Sequence, residues 1–153
     1  MTVEIKIATL NDLELLLDWR MTVLKEVFEL ESTSEDLRTQ NEMYYRKHLA
    51  DKSHVACFAV NSKTGEIVGC GGICYQTEMP SPENCDGSCG YLMNIYTLKN
   101  FRHRGIARQI VEFLIADARS RGTQKIYLES STAALNLYRS IGFDFMENYL
   151  KLN

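Results

Sequence analysis

The chain has 153 residues, 45% of them hydrophobic and 24% charged, a globular composition and enough length for one domain with its own core. Its net charge of −3 argues against whole-protein attraction to nucleic acid or to an anionic membrane. No apolar run nears the ~20 residues of a membrane span, and Met1-Thr2-Val3-Glu4-Ile5-Lys6 has no signal-peptide pattern. The expectation is a cytoplasmic protein whose five cysteines stay reduced.

Val3 to Ala8 alternates apolar with polar and predicts a first strand. Thr9 or Asn11 caps the helix that follows, with Glu14 three residues after Asn11 as in a capping box. Leu13, Leu16, Leu17, Leu24 and Phe28 form its inner face, with Trp19 and Arg20 beside it. Ser34-Glu35-Asp36 opens a second helix running to about Ala50, with Leu37, Tyr44 and Leu49 as its core positions. Glu26, Glu29, Glu31, Glu35 and Asp36 crowd the junction between the helices, either as a solvated helix end or as a rim that attracts a cationic amine.

Val55–Val60 and Ile67–Tyr75, joined by the turn Asn61–Gly65, predict a hairpin. Gly69, Gly71 and Gly72 in its second strand signal a bulge or a close backbone approach. Residues Gln76 to Ser88 hold Pro80, Pro82, Glu78, Glu83 and Asp86 and read as a surface loop over one end of the sheet. Cys70 and Cys74 stand ~13 Å apart on a strand, too far to share a zinc ion. Cys85 and Cys89 read better as plain thiols, so no metal site is expected.

Gly90 to Thr97 predicts the fourth strand, and a short basic turn leads into a helix beginning around Gly105 and ending near Arg121, with Gly122 at its C-terminal cap. Such a turn leaves the first helical N–H groups unpaired and pointing one way, where the helix dipole favours an anion. Arg102, Arg104 and Arg108 add charge there, His103 joins them at lower pH, and Gly105 and Ala107 let backbone approach a ligand. A phosphorylated ligand fits this pattern better than a merely solvated basic loop. Lys125 to Glu129 predicts a strand parallel to the fourth, Ala133 to Ile141 a short helix, and Phe143 to Leu152 a final strand or strand pair. The order is β-α-α-β-β-β-α-β-α-β, a mixed sheet flanked by helices in an α/β (α+β) fold.

Arg102-x-x-Gly105-x-Ala107 resembles the Q/R-x-x-G-x-G/A pyrophosphate loop of the GCN5-related N-acetyltransferase (GNAT) superfamily, and Leu137-Tyr138-Arg139-Ser140-Ile141-Gly142-Phe143 resembles its L-Y-x-x-x-G-F signature. The two lie in the right order and spacing, and the resemblance covers nearly the whole chain, residues 1–153 as one domain. It implies the element order above and transfer of an acetyl group from acetyl-CoA, as co-substrate and without a metal, to a primary amine of a small molecule or peptide. The alternative is a CoA-binding sensor that has lost turnover. The resemblance also implies that pyrophosphate rests on the amides of His103 to Arg108, Ile106 and Ala107 included, and that the pantetheine arm bonds the strand backbone at Ile95, Tyr96 and Thr97. Tyr138 would protonate the departing thiolate or else simply pack in the core. Glu129 is a base for the amine or a sheet-end carboxylate, with Glu78 a weaker rival. Ser131 stands where many members carry asparagine. Members often pair as homodimers.

Overall fold

The computed structural model describes residues 1–153. Five strands, β1 (Val3–Ile7), β2 (His54–Asn61), β3 (Ile67–Thr77), β4 (Ser88–Thr97) and β5 (Lys125–Leu128), lie side by side in chain order. Neighbours run antiparallel except β4 and β5, which are parallel. The helix α3 (Ile106–Ser120) makes that parallel crossover possible, as a hairpin turn cannot. The continuous apolar runs of β2 and β3 reflect a sheet covered on both faces.

One face is covered by α3, whose stripe of Ile106, Ile110, Val111, Leu114 and Ala118 is fully buried against Val55, Cys57, Val68, Ile73 and Leu92. The glycines of β3 are the reason it can come so close. A Cβ on Gly71 would stand 2.4 Å from Ile110 and 2.9 Å from Ile95. The other face carries α1 (Leu13–Val27) and α2 (Glu35–Ala50), packed over Ala56, Phe58 and Cys70. Trp19 meets Phe58 and Tyr96 edge-on there, at 6.0 and 6.2 Å between ring centres.

Several sequence expectations shift in detail. The capping box belongs to Thr9 and Asp12, around a single 3-10 turn at Leu10–Asp12, rather than to Asn11 and Glu14. Phe28 lies beyond the end of α1 and is 65% exposed, while Met21 and Val23 take core positions. In α2 it is Tyr45 that is buried, Tyr44 being half-buried. Strands β3 and β4 extend further than their apolar runs, which shortens the irregular loop to residues 78–87. The short helix is α4 (Leu135–Ile141), entered through a turn that Ser131 caps by accepting from the Ala134 N–H.

The final strand is absent. Phe143 to Leu152 alternates suitably, yet it forms no ladder, and Phe145, Tyr149, Leu150 and Leu152 remain exposed. The neighbouring β5 offers only four residues as a template, and a short hairpin without broader support is marginal. No helix is long and apolar enough to cross a membrane.

Candidate active site

Past Thr97 the chain makes one 3-10 turn at Lys99–Phe101 and then turns into α3 through two left-handed residues, His103 (φ 61°) and Gly105 (φ 78°). A Cβ on Gly105 would meet nothing within 4 Å, so glycine is needed there for its dihedral and not for space. The first helical bond runs from the Gln109 N–H to the Gly105 carbonyl at 3.2 Å. The amides from His103 to Arg108 therefore have no backbone acceptor, and no side chain supplies one. Alternating αL backbone and a free helix start make a concave set of donors for an anion.

The three arginines differ in their roles. Arg102 is a strut, its Nε donating to the Thr97 carbonyl at 2.8 Å and its Nη2 to Glu26 at 2.9 Å. Tyr96 donates its hydroxyl to the other oxygen of Glu26, and that bond, then Arg102, holds the Glu26 carboxyl below the usual carboxylate range. Arg108 reaches Glu112 at 3.2 Å and Ser140 of α4 at 2.5 Å, tying the turn to the helix that carries Tyr138. Arg104 has no carboxylate partner and lies over the Phe101 ring at 5.6 Å, so its charge is the one free for a ligand. His103 is exposed.

From this turn β4 leads back toward the sheet's far end with one edge open. It pairs with β5 only from Cys89 to Leu92, so the outer edge of residues 93–97, including Ile95, Tyr96 and Thr97, has no strand beside it. Where the edge opens, β4 bulges. Between the pairs Gly72↔Met93 and Cys70↔Tyr96, β4 fits one residue more than β3, and Asn94 takes a left-handed φ of 59°. Its side-chain oxygen accepts from Arg20 of α1 at 3.1 Å.

Tyr138 and Glu129 meet at a cavity of about 1100 Å³ walled by β5, α4 and the segment after it. Tyr138 is 8% exposed, edge-on to Phe143, and its hydroxyl has no hydrogen-bond partner in the protein. Burial raises its pKa above the ordinary phenol value. Glu129 follows β5, is exposed and has no ion pair. Beside it stands Tyr91, 5.0 Å from Tyr127 between ring centres, its phenol raised by burial and then by the Glu129 charge. Glu78 lies apart, with both carboxylate oxygens 3.2 Å from Lys125. The structure thus brings Tyr138 and Glu129 to one cavity and Arg102 to Arg108 to one turn, with β4 running between. Sequence reasoning named Glu26 only within an acidic rim, gave Asn94 and Tyr91 no role beyond the fourth strand, and set Arg20 aside as flanking the α1 stripe. All five cysteines are free thiols.

A mixed five-stranded sheet whose parallel pair parts beside an amide-lined helix start is the architecture of acyl-CoA-dependent acetyltransferases. Residues 21–143 match the Acetyltransferase (GNAT) family, and the chain belongs to it. It is similar in fold to a predicted acetyltransferase of Clostridium acetobutylicum determined with acetyl-CoA, with a TM-score of 0.87 at 26% identity over 99% of this chain and 96% of that one. In sequence it is 39% identical over 56 residues to the [ribosomal protein bS18]-alanine N-acetyltransferase of Salmonella typhimurium, covering 35% of this chain and 38% of that protein. Glucosamine 6-phosphate N-acetyltransferase 1 of Dictyostelium discoideum is 29% identical over 86 residues, 56% of this chain and 53% of that one. The chain therefore spans about half or less of the length of these two relatives.

Proposed function

We propose that the protein is an N-acetyltransferase, residues 1–153 acting as one catalytic domain, that moves the acetyl group of acetyl-CoA directly to a primary amine. The observation that carries this reading is the run of unpaired amides from His103 to Arg108 opening onto the free edge of β4. Pyrophosphate accepts from those amides, with Arg104 adding charge and with Gly105 and Ala107 presenting no bulk. The pantetheine amides continue the sheet along Ile95, Tyr96 and Thr97. That alignment sets the thioester near the Asn94 bulge, where an unpaired strand N–H stabilises the oxyanion as the tetrahedral species forms.

The amine nitrogen bonds to the carbonyl carbon and the carbon–sulfur bond breaks. Glu129 takes the proton from nitrogen, directly or through water, and Tyr138 gives its proton to the thiolate. A phenol with a raised pKa keeps its proton at neutral pH, as a donor must. The acceptor class is a small-molecule or peptide amine, in keeping with relatives whose names specify a protein alanine and a sugar phosphate.

The test is a calorimetric titration with acetyl-CoA of wild type and of Gly105→Glu. A Cβ there meets no atom within 4 Å, so the backbone cost is about 1–2 kcal/mol of left-handed strain, while the substitution sets a carboxylate among the amides. Binding by wild type and none by the folded variant is expected. No binding by wild type discards the reading, and binding without turnover of any amine leaves a CoA-holding module.

A further inference from the structure

Arg20 is a partly buried cation without a counter-ion. It lies on the inner side of α1 and donates Nε to the side-chain oxygen of Asn41 at 3.2 Å and Nη1 to that of Asn94 at 3.1 Å. Both partners are neutral, and its remaining N–H groups have no acceptor in the protein. The other arginines that are not fully exposed, Arg38, Arg102 and Arg108, each pair with a carboxylate. The carboxylates of α1 and α2 nearest in sequence are used elsewhere. Glu14 and Asp18 hold Arg38, Glu26 holds Arg102, and Glu42 holds Arg46. A guanidinium withdrawn from water without a carboxylate costs free energy unless something else meets its charge, and two amides fix it in place with its fork still open.

Its location gives that openness a meaning. Asn94 is the bulge residue at which the β4 edge becomes free. Glu129, a carboxylate with no ion pair, follows Leu128, whose partner Leu92 lies two residues before Asn94 on the adjacent strand. That register puts Glu129 and the Asn94 that bonds Arg20 at the same end of the β4–β5 pair. Tyr91 feels both charges, in opposite directions.

We propose that Arg20 holds an anionic group of the acceptor, a carboxylate or a phosphate, and that the substrate is a compact amino-anion whose amine lies toward Glu129. This rests on the acetyltransferase reading and narrows it to small zwitterionic amines, in place of polycations or peptide termini. The acidic rim at the end of α1 does not oppose it, because Glu26 is already engaged by Arg102 and Tyr96.

The experiment compares matched acceptors that differ only in the anion: free amino acids against their amides, and ethanolamine and glucosamine against their phosphate esters. Acetyl-CoA binding is measured in parallel. The anionic member of the carboxylate or the phosphate arm should exceed its neutral partner in kcat/KM by about tenfold or more, and the arm that responds identifies the anion. Arg20→Gln should bring that ratio to about one, chiefly through KM, with the acetyl-CoA affinity held. If Arg20→Gln does not fold, Arg20→Lys, which keeps the charge but loses the fork, should lower the ratio several-fold. No anionic preference, a preference that survives the substitution, or acetyl-CoA binding with no turnover in either arm overturns the proposal. Failure of wild type to bind acetyl-CoA instead overturns the reading beneath it.

Discussion

His54 opens β2 with only 4% of its surface exposed, its ring set between Tyr44 and Tyr45 of α2 at 5.2 and 5.9 Å. The Tyr44 hydroxyl and Nδ1 share a hydrogen bond at 2.8 Å, and Nε2 lies so close to Gly72 that a Cβ there would stand 2.7 Å from it. Burial, with smaller contributions from His48 and Arg20, lowers its pKa from 6.5 to about 4. Below pH 6.5 the unfolded chain binds a proton that the folded one refuses until about pH 4, so this group's effect is nil at neutral pH and destabilising as pH falls through that window. Linkage puts the loss at about 2 kcal/mol between pH 7 and pH 5 and about 3 kcal/mol by pH 4. His54→Gln has nothing to titrate there. Urea unfolding of both proteins at intervals from pH 7 to pH 4 isolates the effect, since the carboxylates are common to the two and cancel in the difference. The stability gap between wild type and variant should move by about 2 kcal/mol by pH 5. A gap that stays constant, or a native His54 proton resonance that titrates near its ordinary value, refutes the reasoning.

Tyr138→Phe should lower kcat by about ten- to a hundredfold while leaving the acetyl-CoA KM near wild type, and an unchanged kcat removes the phenol from the mechanism. Glu129→Gln should slow transfer to the amine without weakening acetyl-CoA binding, and equal loss of both would count against a base at that position. Gly71→Ala places a Cβ 2.4 Å from Ile110 and should destabilise the fold by about 1–3 kcal/mol as α3 is pushed from the sheet. A thermal midpoint equal to wild type would show that the helix yields freely.

Much of the fold was legible because each element carried a local reason. The β2 and β3 apolar runs, the α3 stripe ending at Gly122, and the basic turn after Thr97 are each written in residues that touch one another or lie a few positions apart. Phe28 misled because it extends the α1 periodicity past the point where the helix stops. The C-terminal segment misled for the opposite reason. Its alternation is genuine, but a strand needs a neighbour, and the length of β5 is set by where it parts from β4 rather than by anything in Phe143–Leu152. The charged partners were the least legible. Glu26 lies 76 residues from the Arg102 it engages, and no local pattern joins them.

Arg20 did leave a signal, one that only the structure makes sense of. It follows Leu16 by four and Leu17 by three and precedes Leu24 by four, so a cation stands on the stripe that should be apolar throughout. A helix tolerates that when polar groups across the interface hold the side chain, and here the neutral amides of Asn41 and Asn94 do so while leaving its charge unpaired. The bulge lies where the outer edge of β4 comes free, and its Asn94 carries the side-chain oxygen that meets α1. One stretch of one strand thus serves both halves of the proposed reaction. It leaves backbone donors for an acetyl donor on one side and steadies an open guanidinium for an acceptor on the other. Asn94→Ala should therefore disturb both, whereas Arg20→Gln should disturb only the acceptor.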